Sequence, residues 1–366
     1  MLQIVYLKYL NKIMKNKEKI KVSSDCLIID ALKLMDSLSR KLLIVMDGKF
    51  FLSVLSIGDI QRAIINKVPL ESSIKSILRK NISIARSYDT IEEIKNKTFE
   101  LRAECMPVVD EKNHLTAIYL WEDFFPNTKK KINSKTNLPV VIMAGGKGER
   151  LKPLTNVLPK PLIPIGDKTI IEEIMERFIA IGSSNFYLSI FYKSEFIKYY
   201  FDDKKNSDYN VNFIEEEKPL GTGGSLHLLK HRIKEPFFVT NCDILIEQDY
   251  SEIYNYHKEN NNEITIVSAL SHSKFPYGII NTGKDGELLS ITEKPEITYE
   301  INSGMYILEP NLLDEIPINT FFHITQLIDK VKQRKGKVGV FPVSEKSWVD
   351  IGDWKKYINE INVFSK

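Results

Sequence analysis

Residues 140–161 read VVIMAGGKGERLKPLTNVLPKP. An apolar run ends in Gly145, Gly146, Lys147 and Gly148, and Arg150, Pro153, Pro159, Lys160 and Pro161 follow. Consecutive glycines after a strand let backbone N–H groups converge on phosphate oxygens and let the backbone approach a ligand closely. Arg150 can fork onto two phosphate oxygens. Pro159 and Pro161 restrict the backbone on either side of Lys160 and so limit where its ammonium points. A glycine anion nest beside two aimed cations suits a triphosphate. No Gly-Lys-Ser/Thr closes the loop, so it is not a Walker A. Leu151 stands where a dinucleotide fingerprint needs its third glycine, which disfavours a hydride-transferring dehydrogenase.

Two carboxylates supply the opposite charge. Asp243 follows the apolar FFVTN and is expected at a strand end, over a sheet; Asp350 lies in SWVDIGDW. Carboxylates from two distant segments can hold Mg²⁺, which keeps several waters and takes substrate phosphates as its other ligands. Taken alone, Asp243 would read as a strand-end cap. His227, His231, His257, His272 and His323 form no ligand spacing, and Phe237, Phe238, Tyr254 and Tyr256 fall at core spacings.

Those side chains need a scaffold, and the pattern from residue 139 onward supplies one. TIIEEIMERFIAIG puts Ile170, Ile171, Ile174, Met175 and Phe178 on one helical face and stops at Gly182. FYLSIFY, VNFIEE, FFVTNCDILI and ITIVSAL read as strands. SEFIKYYF, GSLHLLKHRI and DYSEIYNYHKE read as helices between them. This alternation predicts an α/β fold with a mostly parallel sheet covered on both faces. Ligands in such sheets sit beyond the carboxyl ends of the strands. KDGELLSITEKP reads as a hairpin arm.

The 366 residues predict two domains. FFPNTKKKINSKTNLP is polar, basic and flanked by prolines, as a linker is. The expected division is residues 1–125, a linker over 126–138, and a domain over 139–366. The first part carries an internal repeat. IIDALKLMDSLSRKLLIVMDGKFFLSVLSIGDIQRAI and TIEEIKNKTFELRAECMPVVDEKNHLTAIYLWEDF each read helix, strand, turn, strand, acidic helix start, with Asp59 and Asp123 at those starts. Two such copies predict one supersecondary unit packed on its twin.

Formal net charge is +3, without the basic face that nucleic-acid binding needs. Cys26, Cys105 and Cys242 have no metal-ligand spacing and suit a reducing compartment. The apolar patch in MLQIVYLKYLNKIMKNKEKIKV is too short to span a bilayer and lacks a signal-type cleavage site. The expectation is a cytoplasmic protein with neither nucleic-acid nor membrane partners.

From Gly145 to Thr155, and again from Pro159 to Pro161, the chain resembles the sugar-1-phosphate nucleotidyltransferase (nucleoside-diphosphate-sugar pyrophosphorylase) family, which opens with G-G-x-G-x-R-L-x-P-L-T and then P-K-P. EEEKPLGTGGSL, NCDIL, YGIIN, EKP, NSGMYIL and WVDIGDW follow in the family's order. Glu149, Cys242 and Asp353 depart from the commoner residues at their positions. The resemblance implies a Rossmann-like, GT-A-like domain that transfers a nucleotidyl group to a sugar-1-phosphate and releases pyrophosphate. It assigns Arg150 and Lys160 to catalysis and Gly145, Gly146, Gly148, Pro219, Gly221 and Thr222 to the nucleotide. It assigns Glu293, Lys294 and Asn302 to the sugar phosphate, although Glu293 and Lys294 alone could be an exposed ion pair. Mg²⁺ falls to Asp243 and Asp350. No hexapeptide repeat follows the last motif, so no acetyltransferase activity is expected.

The repeat over roughly residues 10–125 resembles an α+β pair of cystathionine β-synthase (CBS) motifs, which often bind adenine nucleotides. Ser56 and Asp59 match the ribose-phosphate motif in the first copy; in the second, Leu120 replaces the hydroxyl and Asp123 remains. One adenine-nucleotide site is the reading this implies. The alternative is a packing or dimerisation module, hence a homodimer. A catalytically silent nucleotide sensor is the rival reading for the whole chain.

In the family, the residue three before the proline of KPLGTGG faces the base edge, which here is Glu216. A carboxylate only accepts hydrogen bonds. Guanine offers two adjacent donors, N1–H and the 2-amino group, so GTP is expected over UTP or dTTP. The stretch is similar to guanylyltransferases acting on mannose-, heptose- and glucosamine-1-phosphate. Joined to a CBS pair it is similar to the glucosamine-1-phosphate guanylyltransferases of legionaminic acid synthesis, so glucosamine-1-phosphate is the expected sugar.

Overall fold

The computed structural model describes residues 18–38, 40–79, 82–101, 103–125, 136–204, 208–352 and 357–358. Asp353, most of the expected linker and most of the N-terminal apolar patch lie outside these residues. The chain forms two compact units, Met1–Lys131 and Ile132–Lys366.

The first unit repeats one pattern. Strand β1 (Lys21–Ser23), helix α1 (Ile28–Leu38), β2 (Leu42–Asp47), β3 (Phe50–Ser56) and α2 (Ile57–Ile65) form the first copy. The second copy is β4 (Ala85–Arg86), α3 (Ile91–Glu100), β5 (Cys105–Val109), β6 (Leu115–Leu120) and α4 (Trp121–Phe124). In each, the first strand runs parallel to the second and the second antiparallel to the third. Both hairpins slip register at the equivalent place, between Val45 and Met46 and between Val108 and Val109. α1 buries Ile28, Ala31, Leu32 and Met35, the spacing of a single helical face.

The second unit starts with β7 (Val140–Met143), whose run is apolar because both faces are covered. Val140 and Ile142 pack into one core cluster and Val141 into the other, following the strand's two-residue alternation. A small hairpin, β8 (Pro164–Ile165) and β9 (Lys168–Thr169), leads into α5 (Ile170–Ala180). Thr169 caps α5 and Glu172 returns the bond to the Thr169 N–H, a reciprocal capping box. Then come β10 (Asn185–Ile190), α6 (Ser194–Asp203), β11 (Asn210–Glu215), α7 (Gly221–Gly224), β12 (Phe237–Asn241), β13 (Ile244–Ile246) and α8 (Tyr250–Glu259). β14 (Ile264–Lys274), β15 (Ile279–Thr282), β16 (Leu288–Thr292), β17 (Glu296–Leu308), α9 (Ile324–Gln333), β18 (Val338–Val343) and β19 (Trp348–Asp350) complete it.

The main sheet has the order β11-β10-β7-β12-β17-β14-β18. Only β17 opposes its neighbours, so the sheet is mostly parallel. Two expected elements differ. FFVTNCDILI breaks after Asn241, and β13 leaves the main sheet to pair with β19. GSLHLLKHRI does not form a full α-helix; after the short α7 the chain tightens to 3₁₀ over Ser225–Leu229. The glycines of GTGG lower helix propensity at its start. The arm is β15 paired with β16, reaching back to Ile279.

Candidate active site

The chain goes from β7 to β10 and β11 on one side, then crosses to β12 on the other. The strand order reverses between β7 and β12, where a parallel sheet opens a crevice beyond its carboxyl ends. A cleft of about 320 Å³ lies there. Met143, Gly145, Gly146 and Gly148 line it from the end of β7, and Asn241, Cys242 and Asp243 from the end of β12. Glu216, Pro219, Gly221 and Thr222 form the third wall, with Lys160 and Phe321.

The three glycines of the loop differ. Gly148 is left-handed at φ +64, and a Cβ there would stand 2.7 Å from Thr155 Cγ2. The Thr155 hydroxyl donates to Gly148 O at 3.0 Å, which pins the turn. Gly145 meets a side chain: a Cβ would lie 3.0 Å from Glu216 Oε1. Gly146 faces open space, with nothing within 4 Å of a Cβ.

Charge gathers at the β12 end. Lys160 is 8% exposed and Asp243 6%, and the Lys160 ammonium is in direct contact with Asp243 Oδ2. β13 pairs antiparallel with β19, setting Ile244 opposite Asp350. The Ile351 N–H donates to Asp243 O at 2.9 Å. That pairing brings together two aspartates that are far apart in sequence. Arg150 lies 3.8 Å from Asp243 Oδ2 and 3.9 Å from Asp350 Oδ2. A Cβ on Gly352 would strike Asp243 Oδ2, Asp350 Oδ1 and Lys160 Nζ, the last two at 2.9 Å. Both carboxylates and the ammonium therefore face one small volume.

No group of three or more His, Cys, Asp or Glu among the described residues could hold a metal unaided. Two carboxylates aimed at one volume fit a hard cation that draws its remaining oxygens from water and phosphate. Burial pushes the neighbouring Cys242 thiol up to about 12, so it stays protonated and unreactive.

Glu216 is buried and lines the same cleft as Asp243. Its Oε2 accepts the Leu220 N–H at 2.8 Å and its Oε1 the Ser189 hydroxyl at 2.7 Å. Thr222 Oγ1 accepts the Ile324 N–H at 3.2 Å, tying this wall to α9.

Glu293, Lys294 and Asn302 do not line the cleft. Glu293 and Lys294 are exposed just beyond β16. Asn302 donates to the Tyr306 hydroxyl at 2.8 Å and accepts the Gly304 N–H at 3.1 Å.

Lys193 carries no signal in the sequence, yet it organises the basic loop. Its ammonium donates to the carbonyls of Thr155, Asn156 and Val157 at 3.2, 2.7 and 2.9 Å. Three carbonyls on one cation hold the turn between Arg150 and Lys160.

In the first unit, Ser56 and Asp59 form the capping box of α2. Asp59 Oδ2 accepts the Ser56 N–H at 2.8 Å and the Ser56 hydroxyl at 2.7 Å. Its Oδ1 accepts Arg79 Nε at 2.6 Å and is in contact with Arg62. Burial alone would raise this carboxyl, but the Arg79 and Ser56 bonds outweigh it and hold it low. Ser56 and Arg79 line a second cleft of about 370 Å³. In the second copy Asp123 accepts the Leu120 N–H at 2.8 Å, and Leu120 stands where the first copy has Ser56.

The nucleotidyl transferase family profile matches residues 139–365. A mannose-1-phosphate guanyltransferase beta-B of Xenopus laevis is 30% identical over 228 residues, 60% of this chain and 63% of that protein. A mannose-1-phosphate guanyltransferase of Neurospora crassa is 31% identical over 229 residues, 60% of this chain and 62% of that one. The chain thus spans less than two thirds of the length of these relatives. The crystal structure of HddC from Yersinia pseudotuberculosis matches with a TM-score of 0.50 and 29% identity, covering 62% of this chain and 99% of its own. The same protein complexed with GMP-PN matches with a TM-score of 0.50 and 28% identity.

Proposed function

Because the chain belongs to the nucleotidyl transferase family, we propose that it transfers GMP from GTP to a sugar-1-phosphate and releases pyrophosphate. One observation carries this reading. Lys160 and Asp243 line a switch-point cleft together with Glu216, and Arg150 and Asp350 lie beside that Lys160–Asp243 pair.

A sugar phosphate oxygen attacks the α-phosphorus, the bond to the β-phosphate oxygen breaks in line, and pyrophosphate leaves with the electron pair. Such a reaction needs little covalent help; positioning and neutralisation of charge do most of it. Arg150 binds the departing β,γ-phosphates. Lys160 leaves Asp243 to bridge the α-phosphate and the incoming phosphate. The backbone N–H groups around Gly146 and Gly148 wrap the triphosphate. Glu216 accepts the N1–H and 2-amino donors of guanine. Asp243 and Asp350 would hold Mg²⁺, which when bound supplies Lewis-acid neutralisation of the phosphate oxygens. With a cation bound, the two carboxylates would no longer repel the substrate.

Mannose-1-phosphate is the first sugar to test, because both curated relatives carry it in their names. Glucosamine-1-phosphate is the second, supported by the pairing of this domain with the repeated unit. Glu293, Lys294 and Asn302 belong to the sugar side in this reading, with the β15–β16 arm closing toward the cleft when substrate binds. Residues 1–125, within the first unit, are a CBS-type pair that takes at most one adenine nucleotide, beside Ser56 and Asp59.

The test is pyrophosphate release across GTP, ATP, UTP and dTTP with each sugar-1-phosphate and Mg²⁺. GTP should lead. UTP or dTTP outrunning it would overturn the base assignment, and no release from any pair would overturn the activity.

A further inference from the structure

Glu216 sits at the end of a chain of two serines, Ser189, which no sequence motif marks, and Ser225, the serine of EEEKPLGTGGSL. Ser189, near the end of β10, and Ser225, directly after α7, are both fully buried at 0% exposure. Ser189 Oγ lies 2.7 Å from Glu216 Oε1 and 2.8 Å from Ser225 Oγ. A hydroxyl carries one proton, and a carboxylate only accepts. The Ser189 proton therefore goes to Glu216, and the Ser225 proton goes to Ser189. Both bonds then run in one direction, toward the carboxylate.

The other carboxylate oxygen is fixed by the Leu220 N–H at 2.8 Å. With a donor on each oxygen, the carboxylate plane cannot rotate without losing a bond. Gly145 backs it closely, since even a methyl there would reach 3.0 Å from Oε1. Each carboxylate oxygen can accept twice, so one acceptor position on each remains, and Glu216 lies on the wall of the cleft.

We propose that Ser189, backed by Ser225, is a positioning residue for base selection: it locks the Glu216 carboxylate so that both oxygens meet the two-donor edge of a purine. The inference rests on the reading that Glu216 faces guanine. A locked carboxylate matches N1–H and the 2-amino group together. Hypoxanthine keeps N1–H but lacks the amino group, so ITP reports the lock directly. Once free to rotate, the carboxylate can turn to N1–H alone and the two bases become nearly equal.

The experiment measures kcat and KM for GTP and ITP in wild type, Ser189→Ala and Ser225→Ala, with thermal melting as a folding control. Wild type should prefer GTP. Ser189→Ala should cut the GTP-to-ITP ratio of kcat/KM about tenfold, the scale of one hydrogen bond to a charged group. The change should fall mainly in the KM for GTP. Ser225→Ala should act in the same direction by about threefold, and it decides the matter if Ser189→Ala does not fold. A folded variant with the wild-type ratio would overturn the lock while GTP preference in wild type stands. A wild type that does not prefer GTP would instead overturn the reading of Glu216, and the lock with it.

Discussion

Lys160 and Asp243 are a buried ion pair before they are catalytic groups. Both are under 10% exposed, so removing either partner leaves a charge with little water around it. Breaking such a pair costs about 3–5 kcal/mol in a fully enclosed site. Here Arg150 stands 3.8 Å from Asp243 and offsets part of that cost when Lys160 is lost. Lys160→Ala should lower turnover by about a hundredfold or more, the scale of losing a charge-stabilising donor, with a moderate fall in melting temperature. Asp243→Ala should behave alike. The double variant should be more stable than the two single losses added together, because it leaves no unpaired charge. Pyrophosphate release and thermal melts on the three variants check this. Near wild-type turnover in either single variant would remove these residues from the reaction.

At the scale of elements, the basic loop is held from three directions. Gly148 supplies a left-handed residue, Thr155 bonds back to its carbonyl, and Lys193 gathers the next three carbonyls. Gly148→Ala adds a methyl 2.7 Å from Thr155 Cγ2 in a left-handed conformation. The backbone penalty alone is about 1–2 kcal/mol, and the turn must shift to relieve the clash. The expected result is a large rise in KM for the triphosphate together with a lower kcat, because Arg150 and Lys160 both depend on that turn. Gly146→Ala meets nothing within 4 Å, so its melting temperature should match wild type while its KM for triphosphate rises. Equal loss of stability in the two variants would show that the loop is not braced as described.

For the whole molecule, the open matter is what the repeated unit contributes. Ser56 and Asp59 already satisfy each other and Arg79. A ribose could reach Asp59 only if Arg79 turned away toward the phosphate. AMP titrated calorimetrically into the full chain should therefore bind once and weakly, and Asp59→Asn should abolish the binding. Two equal sites would give Leu120 and Asp123 a role that the missing hydroxyl argues against. No heat at all would leave the unit as a packing or dimerisation module.

Much of this protein was legible in local pattern. The strand–glycine–cation order at residues 140–161, the alternation of strands and helices after it, and the duplicated α-β-β-α pattern all rest on spacing, and spacing survives in a linear string; the short leading strands β1 and β4 carried no such signal. The buried face of α5 is the plainest case: Ile170, Ile171, Ile174, Met175 and Phe178 are all in the core. Tertiary structure alone decided the rest. Asp243 and Asp350 meet because β13 leaves the main sheet and pairs with β19, a choice between edges that no local propensity encodes. The β7–β12 crossover sets where the cleft opens. Ser189, Ser225 and Lys193 matter through bonds to residues from other elements. A serine in a strand and a lysine before a helix look ordinary in sequence. Their chemistry lies in the angle and distance of a partner, and only the folded chain fixes those.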